Sequence, residues 1–431
     1  MHPTIFHVPE QVAGVPLLGA GLLLVVWAVA SVALLAWLVW RQGVSADTLG
    51  YVPLLLLLGA IIRWILPLIS EPGLGLPIRS YGVMLFLAVF AGTSLTIWRG
   101  GRLGLDADWV LTLTLWGFIP GIVGARLFYV VRFWNEFQKP TVGATLVEII
   151  NVTQGGLIVY GALIGGLLGF GARIVRQKLP ALATLDLLVP GMLLGLALGR
   201  IGCFLFGCCY GGPSSLPWAV RFPLGSPPFL QEVHQGEIFL YGLKFLGEPG
   251  DPPVIAEVEP GSEAERQGLR AGMRVRSIDG YAVLSVNRAR TVLLRAHRLE
   301  PQEVTLATAQ LAEVAKLSIP SALPRSRPLH ATQLYSAIDA AILCLFLLAY
   351  DPFRRRDGEL FALLLTIYPI NRFLTEFIRT DDPGVWGTWL TLGQLFSLVF
   401  LAVAAGLWWH ILRSPPGKAF FPPLTTGGSR L

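Results

Sequence analysis

The chain has 431 residues, of which 54% are hydrophobic and only 14% charged. That excludes a single soluble core and points to a polytopic membrane protein. Its net charge of +6 is spread over short loops between apolar runs rather than gathered in one patch, which argues against nucleic-acid binding.

Apolar runs long enough to cross a bilayer are predicted at 15–40, 51–70, 80–98, 109–131, 155–175, 184–206, 332–350, 359–379 and 389–412. The first has no Lys or Arg before it and is too long for a cleavable signal, so it is expected to be retained. Nine crossings put the termini on opposite sides. With the N-terminus outside, the inner side carries Arg41, Arg99, Arg102, Arg173, Arg176, Lys178, Arg354, Arg355, Arg356, Arg413, Lys418 and Arg430, whereas the short outer loops hold only Arg79, Arg132, Lys139 and Arg379. The positive-inside rule favours this orientation, with the C-terminus cytoplasmic.

Residues 207–331 form one long outer segment whose composition turns mixed and charged near Gln231. Within it, Pro253 to Gly280 reads as a strand, a Pro-Gly turn, a short helix and a strand ending in Asp279-Gly280. This stretch resembles a PDZ domain of the bacterial envelope-protease kind, giving a small α+β insert over 237–310 on the periplasmic side. Leu240, Tyr241, Gly242 and Leu243 resemble the loop with which such domains capture a peptide C-terminus, which implies an envelope protein or peptide as partner. A spacer that has kept the fold and lost the groove is the alternative.

The segment Gly199-Arg-Ile-Gly-Cys-Phe-Leu-Phe-Gly-Cys-Cys-Tyr-Gly211 places Arg200 roughly 9 Å below the outer end of its span. An arginine in mid-bilayer costs about 2.5–3.5 kcal/mol on insertion scales, so it calls for an anion, a carboxylate or a wet cavity. Tyr81, Arg126, Tyr129, Gln154 and Tyr160 fall near the outer ends of their own spans. The eighth span adds Tyr368, Arg372, Glu376 and Arg379, spaced to share one helical face. Singly, these are ordinary interface aromatics, snorkelling cations or an i,i+4 pair. Together, Arg126, Arg200 and Arg372 exceed the one carboxylate, Glu376. An anionic guest relieves that excess, and phospholipid head groups are the anions plentiful at this depth.

The motifs Leu76-Pro-Ile-Arg-Ser-Tyr-Gly82, Gly124-Ala-Arg126, Gln154-Gly-Gly156, Gly199-Arg-Ile-Gly202 through Gly211, His330-Ala-Thr-Gln-Leu-Tyr335 and Tyr368-Pro-Ile-Asn-Arg372 with Glu376 and Arg379 resemble prolipoprotein diacylglyceryl transferase. The resemblance covers most of 76–223 and 328–412. It implies an all-α polytopic fold of about nine spans around a seven-span transferase core, set in the bacterial inner membrane. The core divides into 76–236 and, after the insert, 311–431. Residues 1–10 also look like the family's N-terminus, so 1–75 reads as that segment with an extra pair of spans inserted.

The implied reaction is a step of lipoprotein biosynthesis: the diacylglyceryl group of phosphatidylglycerol passes to the lipobox cysteine thiol of a preprolipoprotein, and glycerol phosphate leaves. No metal or organic cofactor is implied. By resemblance Arg200 and Arg372 hold the phosphate and Glu376 orients Arg372. Tyr81, Arg126, Gln154, Gly155, Gly156, Gly211, Tyr368 and Arg379 belong to the substrate site. Many members carry His-Gly-Gly where this chain has Tyr160-Gly161-Ala162, so the base that takes the thiol proton stays open. Tyr160 as hydrogen-bond donor or base, Glu376 as base, and an arginine-stabilised thiolate are the alternatives.

An intramembrane zinc protease would need His-Glu-x-x-His, which the chain lacks. Cys203, Cys208 and Cys209 read as small packing residues rather than metal ligands, and Cys344 as a core residue. Cys203 stands where the family often has Asn. A lipid-binding or transport protein without enzymatic activity is the remaining alternative.

Overall fold

The computed structural model describes residues 4–12, 14–70, 75–138, 141–150, 156–245, 250–298, 303–311, 313–318, 325–379, 384–385 and 387–417. It divides into two compact units. One joins Gly199–Ala340 to Thr366–Ala402, and the other joins His2–Leu198 to Ala341–Leu365 and Val403–Leu431. Seven helices among the described residues are long and apolar enough to cross a bilayer: Leu22–Gln42, Thr48–Ile69, Ser80–Gly101, Ala107–Arg132, Ala181–Phe206, Thr332–Phe353 and Leu392–Arg413. The chain is a mostly helical, polytopic membrane protein.

In the unit that holds the N-terminus, strand β1 (Thr4–Val8) pairs antiparallel with β2 (Leu76–Arg79), Thr4 opposite Arg79 and Val8 opposite Leu76. Between these partners run α1 (Leu22–Gln42) and α2 (Ala46–Ala60), the second continuing through a π-helical turn at Ile61–Ile65 that carries Arg63. The sequence predicts the first span from residue 15, but α1 starts at Leu22. The reason is local: Gln11–Val12 and Val15–Pro16 pair as a tight hairpin, and Pro16 cannot donate to a helical ladder.

After β2 come α3 (Ser80–Gly101), α4 (Ala107–Arg132), α5 (Val142–Ile150), α6 (Val159–Gln177) and α7 (Ala181–Phe206). Helices α4 and α6 pack through bare backbone. Gly161, Gly165 and Gly169 recur every four residues along α6. A Cβ on Gly165 would lie 2.1 Å from the Pro120 carbonyl oxygen, and one on Gly169 only 1.8 Å from that of Trp116. Lipid gives helices no hydrophobic drive to associate, so this close van der Waals contact is what holds such a pair.

In the other unit a small α+β module has its own core. It contains α8 (Pro227–His234), β3 (Leu243–Phe245) paired with β4 (Ile255–Val258), α9 (Glu263–Arg266), β5 (Val275–Ile278), β6 (Tyr281–Ala282), α10 (Val286–Arg298), β7 (Glu303–Thr308) and β8 (Ala315–Ser318). The larger sheet runs in the order β8-β7-β5-β6, antiparallel throughout. Val304, Leu306 and Thr308 alternate inward along β7, as a half-buried strand requires. The core draws Phe229 and Val233 from upstream of the predicted 237–310 range, and Ala315 and Leu317 from downstream of it. The chain enters and leaves beside a short antiparallel pair, Val220–Arg221 with Pro328–Leu329.

Three helices follow: α11 (Thr332–Tyr350), α12 (Glu359–Glu376) and α13 (Leu392–Arg413). The two predicted spans outside the seven, 155–175 and 359–379, are the helices α6 and α12, of 19 and 18 residues. Glycines dilute the first, and Glu359, Arg372 and Glu376 load the second with charge.

Asp186 of α7 is fully buried. It accepts the backbone N–H groups of Gly358 at 2.7 Å and Phe361 at 2.9 Å, and pairs with Arg354 at 3.0 Å. Arg99 donates to the carbonyls of Asp186 and Leu187 at 2.8 and 2.6 Å, and reaches Asp351 at 2.8 Å. Two arginines that the sequence reads only as orientation charges are therefore structural as well.

Candidate functional site

Helix α7 carries Arg200 six residues before its end, half-buried and hydrogen-bonded to the side chain of Tyr368 on α12. One turn along α12, Arg372 meets Glu376 at 2.8 Å, and Arg379 approaches the same carboxylate at 3.6 Å. The Glu376 side chain is wholly inaccessible to solvent. Arg379 does not share the helical face that its spacing predicts, because α12 ends at Glu376. A turn brings it back: the Arg379 N–H bonds the Glu376 carbonyl at 3.2 Å, and its backbone bridges to Gly211.

Arg372 and Arg379 thus flank Glu376, and Arg200, within electrostatic reach of Arg372, adds a third guanidinium group to the cluster. Next to Arg372 in sequence, the Asn371 amide donates to the carboxylate of Asp339. Among the described residues the three guanidinium groups outnumber Glu376, and rigid N–H forks of this kind favour an anion with several acceptor oxygens.

Gly393, near the start of α13, completes the wall. A Cβ there would lie 3.2 Å from both a guanidinium nitrogen of Arg372 and an oxygen of Glu376. The helix is set by a capping box: the Thr391 N–H bonds Gln394 Oε1 at 3.0 Å and the Gln394 N–H bonds Thr391 Oγ1 at 3.2 Å. The Thr-x-x-Gln spacing was a legible helix start, but nothing in it names Gly393 as a neighbour of the pair.

The loop after α7 is stitched to the His330–Tyr335 stretch. Gly211 N–H donates to the His330 carbonyl at 2.9 Å, Thr332 Oγ1 to the Cys209 carbonyl at 2.7 Å, and Gln333 Nε2 to the Cys208 carbonyl at 2.7 Å. A Cβ on Gly211 would come within 2.7 Å of the His330 Cβ, so glycine is demanded there by packing. Tyr335 accepts from Trp218 Nε1 at 2.9 Å and lies 3.3 Å from His330 Nδ1.

Residues 71–410 match the family model of prolipoprotein diacylglyceryl transferase, a stretch that contains every one of these side chains. The chain belongs to that family. A phosphatidylglycerol–prolipoprotein diacylglyceryl transferase of Rhodopirellula baltica is 33% identical over 94% of this chain and 88% of its own length. A second such transferase of Clostridium perfringens is 26% identical over 76% of this chain and 88% of its own length. That of Trichormus variabilis is 34% identical over 38% of this chain and 55% of its own.

Of the residues that the transferase resemblance points to, Arg200, Gly211, Tyr368, Arg372, Glu376 and Arg379 lie in the one unit. Tyr81, Arg126 and Gly156 lie in the other. There Arg126 is buried and donates to the carbonyls of Glu148 and Ile149 at 2.7 Å each and of Gly156 at 3.1 Å, over the rings of Tyr129 and Phe137. Its fork caps the C-terminal end of α5, where carbonyls lack helical partners. Gln154 and Gly155 lie outside the described residues, as does the side chain of Tyr160.

Leu240 to Leu243 form a two-residue hairpin turn with Tyr241 and Gly242 both at positive φ, 54° and 74°. The Leu240 and Leu243 N–H groups each bond the other's carbonyl at 2.9 Å, so both are engaged within the turn. Burial, then Asp279, pushes the Tyr241 hydroxyl up to about 12. Arg290 of α10 donates to the Phe245 carbonyl on β3, spanning from helix to strand.

Proposed function

We propose that this chain is a phosphatidylglycerol–prolipoprotein diacylglyceryl transferase, acting on phosphatidylglycerol and the lipobox cysteine of preprolipoproteins. The observation that carries the reading is the clustering of Arg200 with Arg372 and Arg379, the latter two about one buried carboxylate, inside the stretch that matches the family. In the reaction a sulfur–carbon bond forms while the carbon–oxygen bond to phosphate breaks, so negative charge builds on the departing glycerol phosphate. Fixed guanidinium donors are what stabilise such charge as it develops.

In this reading Arg200 and Arg372 hold the phosphate, with Tyr368 and Arg379 beside them, and buried Glu376 orients Arg372. Gly211 keeps its loop close against His330. Tyr81, Arg126, Gln154, Gly155 and Gly156 serve the lipid, Arg126 by holding the carbonyls of Glu148, Ile149 and Gly156. Tyr160 donates a hydrogen bond to the phosphate. Glu376, sealed between two arginines, is poorly placed to take the thiol proton, which favours an arginine-stabilised thiolate.

The reading places the protein in the inner membrane with nine crossings, α6 and α12 among them, and with the N-terminus and the 227–318 module periplasmic. The family match begins at residue 71, after α1 and α2, and β1 pairs with β2 across them. Both facts support an inserted helical pair. The strand and helix order of the module, with α10 flanking β3, supports a PDZ-type fold and a peptide partner along β3.

A gel-shift assay with a lipobox peptide tests the activity. Phosphatidylglycerol should shift the peptide and release glycerol phosphate, and phosphatidylethanolamine should do neither. A pure protein that binds phosphatidylglycerol yet forms no thioether would overturn the enzymatic reading in favour of lipid binding.

A further inference from the structure

Cys203, Cys208 and Cys209, which the sequence reads as separate packing residues, bring their three sulfur atoms within 4.8 Å of one another. Spacing alone does not predict this, because the convergence comes from the turn. Helix α7 ends at Phe206, Gly207 takes φ +91°, and Cys209 takes φ +58°, a left-handed conformation that non-glycine residues seldom adopt. The Cys203 carbonyl accepts from Gly207 at 2.8 Å and from Cys208 at 3.2 Å, folding the cysteine pair back over the last helical turn. Thr332 and Gln333 clamp the carbonyls of Cys209 and Cys208 from outside. Backbone N–H groups and the Thr332 and Gln333 side chains thus hold the costly backbone in place, the Cys208 thiol adds a contact to the Cys203 carbonyl at 3.8 Å, and the three sulfurs converge.

We propose that these three thiols form a binding site for one soft, thiophilic cation of the copper(I) class, in three-coordinate geometry. Thiolates about 2.3 Å from a common ion in a plane are about 4 Å apart, so closing the cluster takes less than about 1 Å of movement. No His, Asp or Glu joins the group among the described residues. A three-sulfur donor set suits copper(I), whereas structural zinc takes a fourth ligand and hard cations take oxygen. Binding forms three sulfur–metal bonds and releases the thiol protons to solvent, with no change of oxidation state. Three thiolates with a monovalent ion carry net negative charge. Arg200 and Arg379 both act electrostatically on Cys209, so their charge offsets it. A loaded cluster therefore competes for the arginines that the phosphate needs. This last consequence rests on the transferase reading; the binding does not.

The test uses the full chain in detergent, purified reduced, with copper(I) competed against a chromophoric chelator and free thiols alkylated and mapped by mass spectrometry. The wild type should retain a single equivalent of copper(I). Alkylation of Cys203, Cys208 and Cys209 should fall together by about tenfold or more, that of Cys344 should not change, and zinc(II) at the same concentration should protect less than copper(I). Cys208→Ser should weaken retention by about tenfold or more, and Cys344→Ser should leave it alone. Protection of fewer than three thiols, equal protection by zinc(II), a disulfide already present among the three, or unchanged retention in Cys208→Ser would each overturn the proposal. The protection pattern of the wild type needs no variant to fold. A transferase that is inactive but still protects its three thiols would separate failure of the activity from failure of this site.

Discussion

Glu376 is a carboxylate without access to water, wedged between Arg372 at 2.8 Å and Arg379 at 3.6 Å. Its removal leaves two buried cations facing each other, which costs more than an exposed ion pair is worth. Glu376→Gln should therefore lower stability by about 3–5 kcal/mol and lower the lipidation rate, read by thermal unfolding in detergent and by gel shift. Gly393→Ala should act more mildly, by about 1–3 kcal/mol, because the arginine and carboxylate must give by a few tenths of an ångström to admit a methyl group. A wild-type melting profile for both would contradict the packing described here. The pair itself was legible, since i,i+4 spacing brings Arg372 to Glu376 in any helix. Gly393 was not, because its role depends on where α13 lands against α12. Arg379 shows a subtler case: the residue was legible as a site member, but the helix it was assigned to ends three residues earlier.

At the scale of elements, α4 and α6 stand or fall on the glycine stripe. Gly165→Leu drives a branched side chain into the Pro120 carbonyl, whereas Gly171 has nothing within 4 Å of an added Cβ. Gly165→Leu should cost at least about 1–3 kcal/mol and reduce the folded fraction recovered by size exclusion in detergent, with Gly171→Ala recovered as wild type. Equal recovery of the two would mean that the backbones do not need this contact. Hydropathy located the long helices because a bilayer demands about twenty apolar residues in a row, and that demand is local. Asp186 escaped for the opposite reason. A single carboxylate barely alters the apolarity of α7, and its partners at Arg354, Gly358 and Phe361 lie far along the chain.

At the scale of the whole molecule, two long stretches of chain each run between strands that pair with one another. β1 meets β2 across α1 and α2, and Val220–Arg221 meets Pro328–Leu329 across the module. The module owns a core built from its own residues, so a deletion should follow that core, 227–318, rather than the 237–310 range that the PDZ resemblance implied. Removing 227–318 with a short linker should leave lipidation of a lipobox peptide intact. If the module recruits substrates, slower lipidation should appear only with full-length preprolipoproteins. Loss of peptide lipidation in a folded deletion variant would show instead that the module helps to form the site. The cationic cluster itself is tested most directly by the initial rate of thioether formation across a phosphatidylglycerol titration, in the wild type and in Arg200→Ala. If Arg200 holds the phosphate as charge builds on it, the rate at saturating lipid should fall by about 10²–10³ in a protein that still folds. An Arg200→Ala enzyme that lipidates the peptide at the wild-type rate would contradict that role.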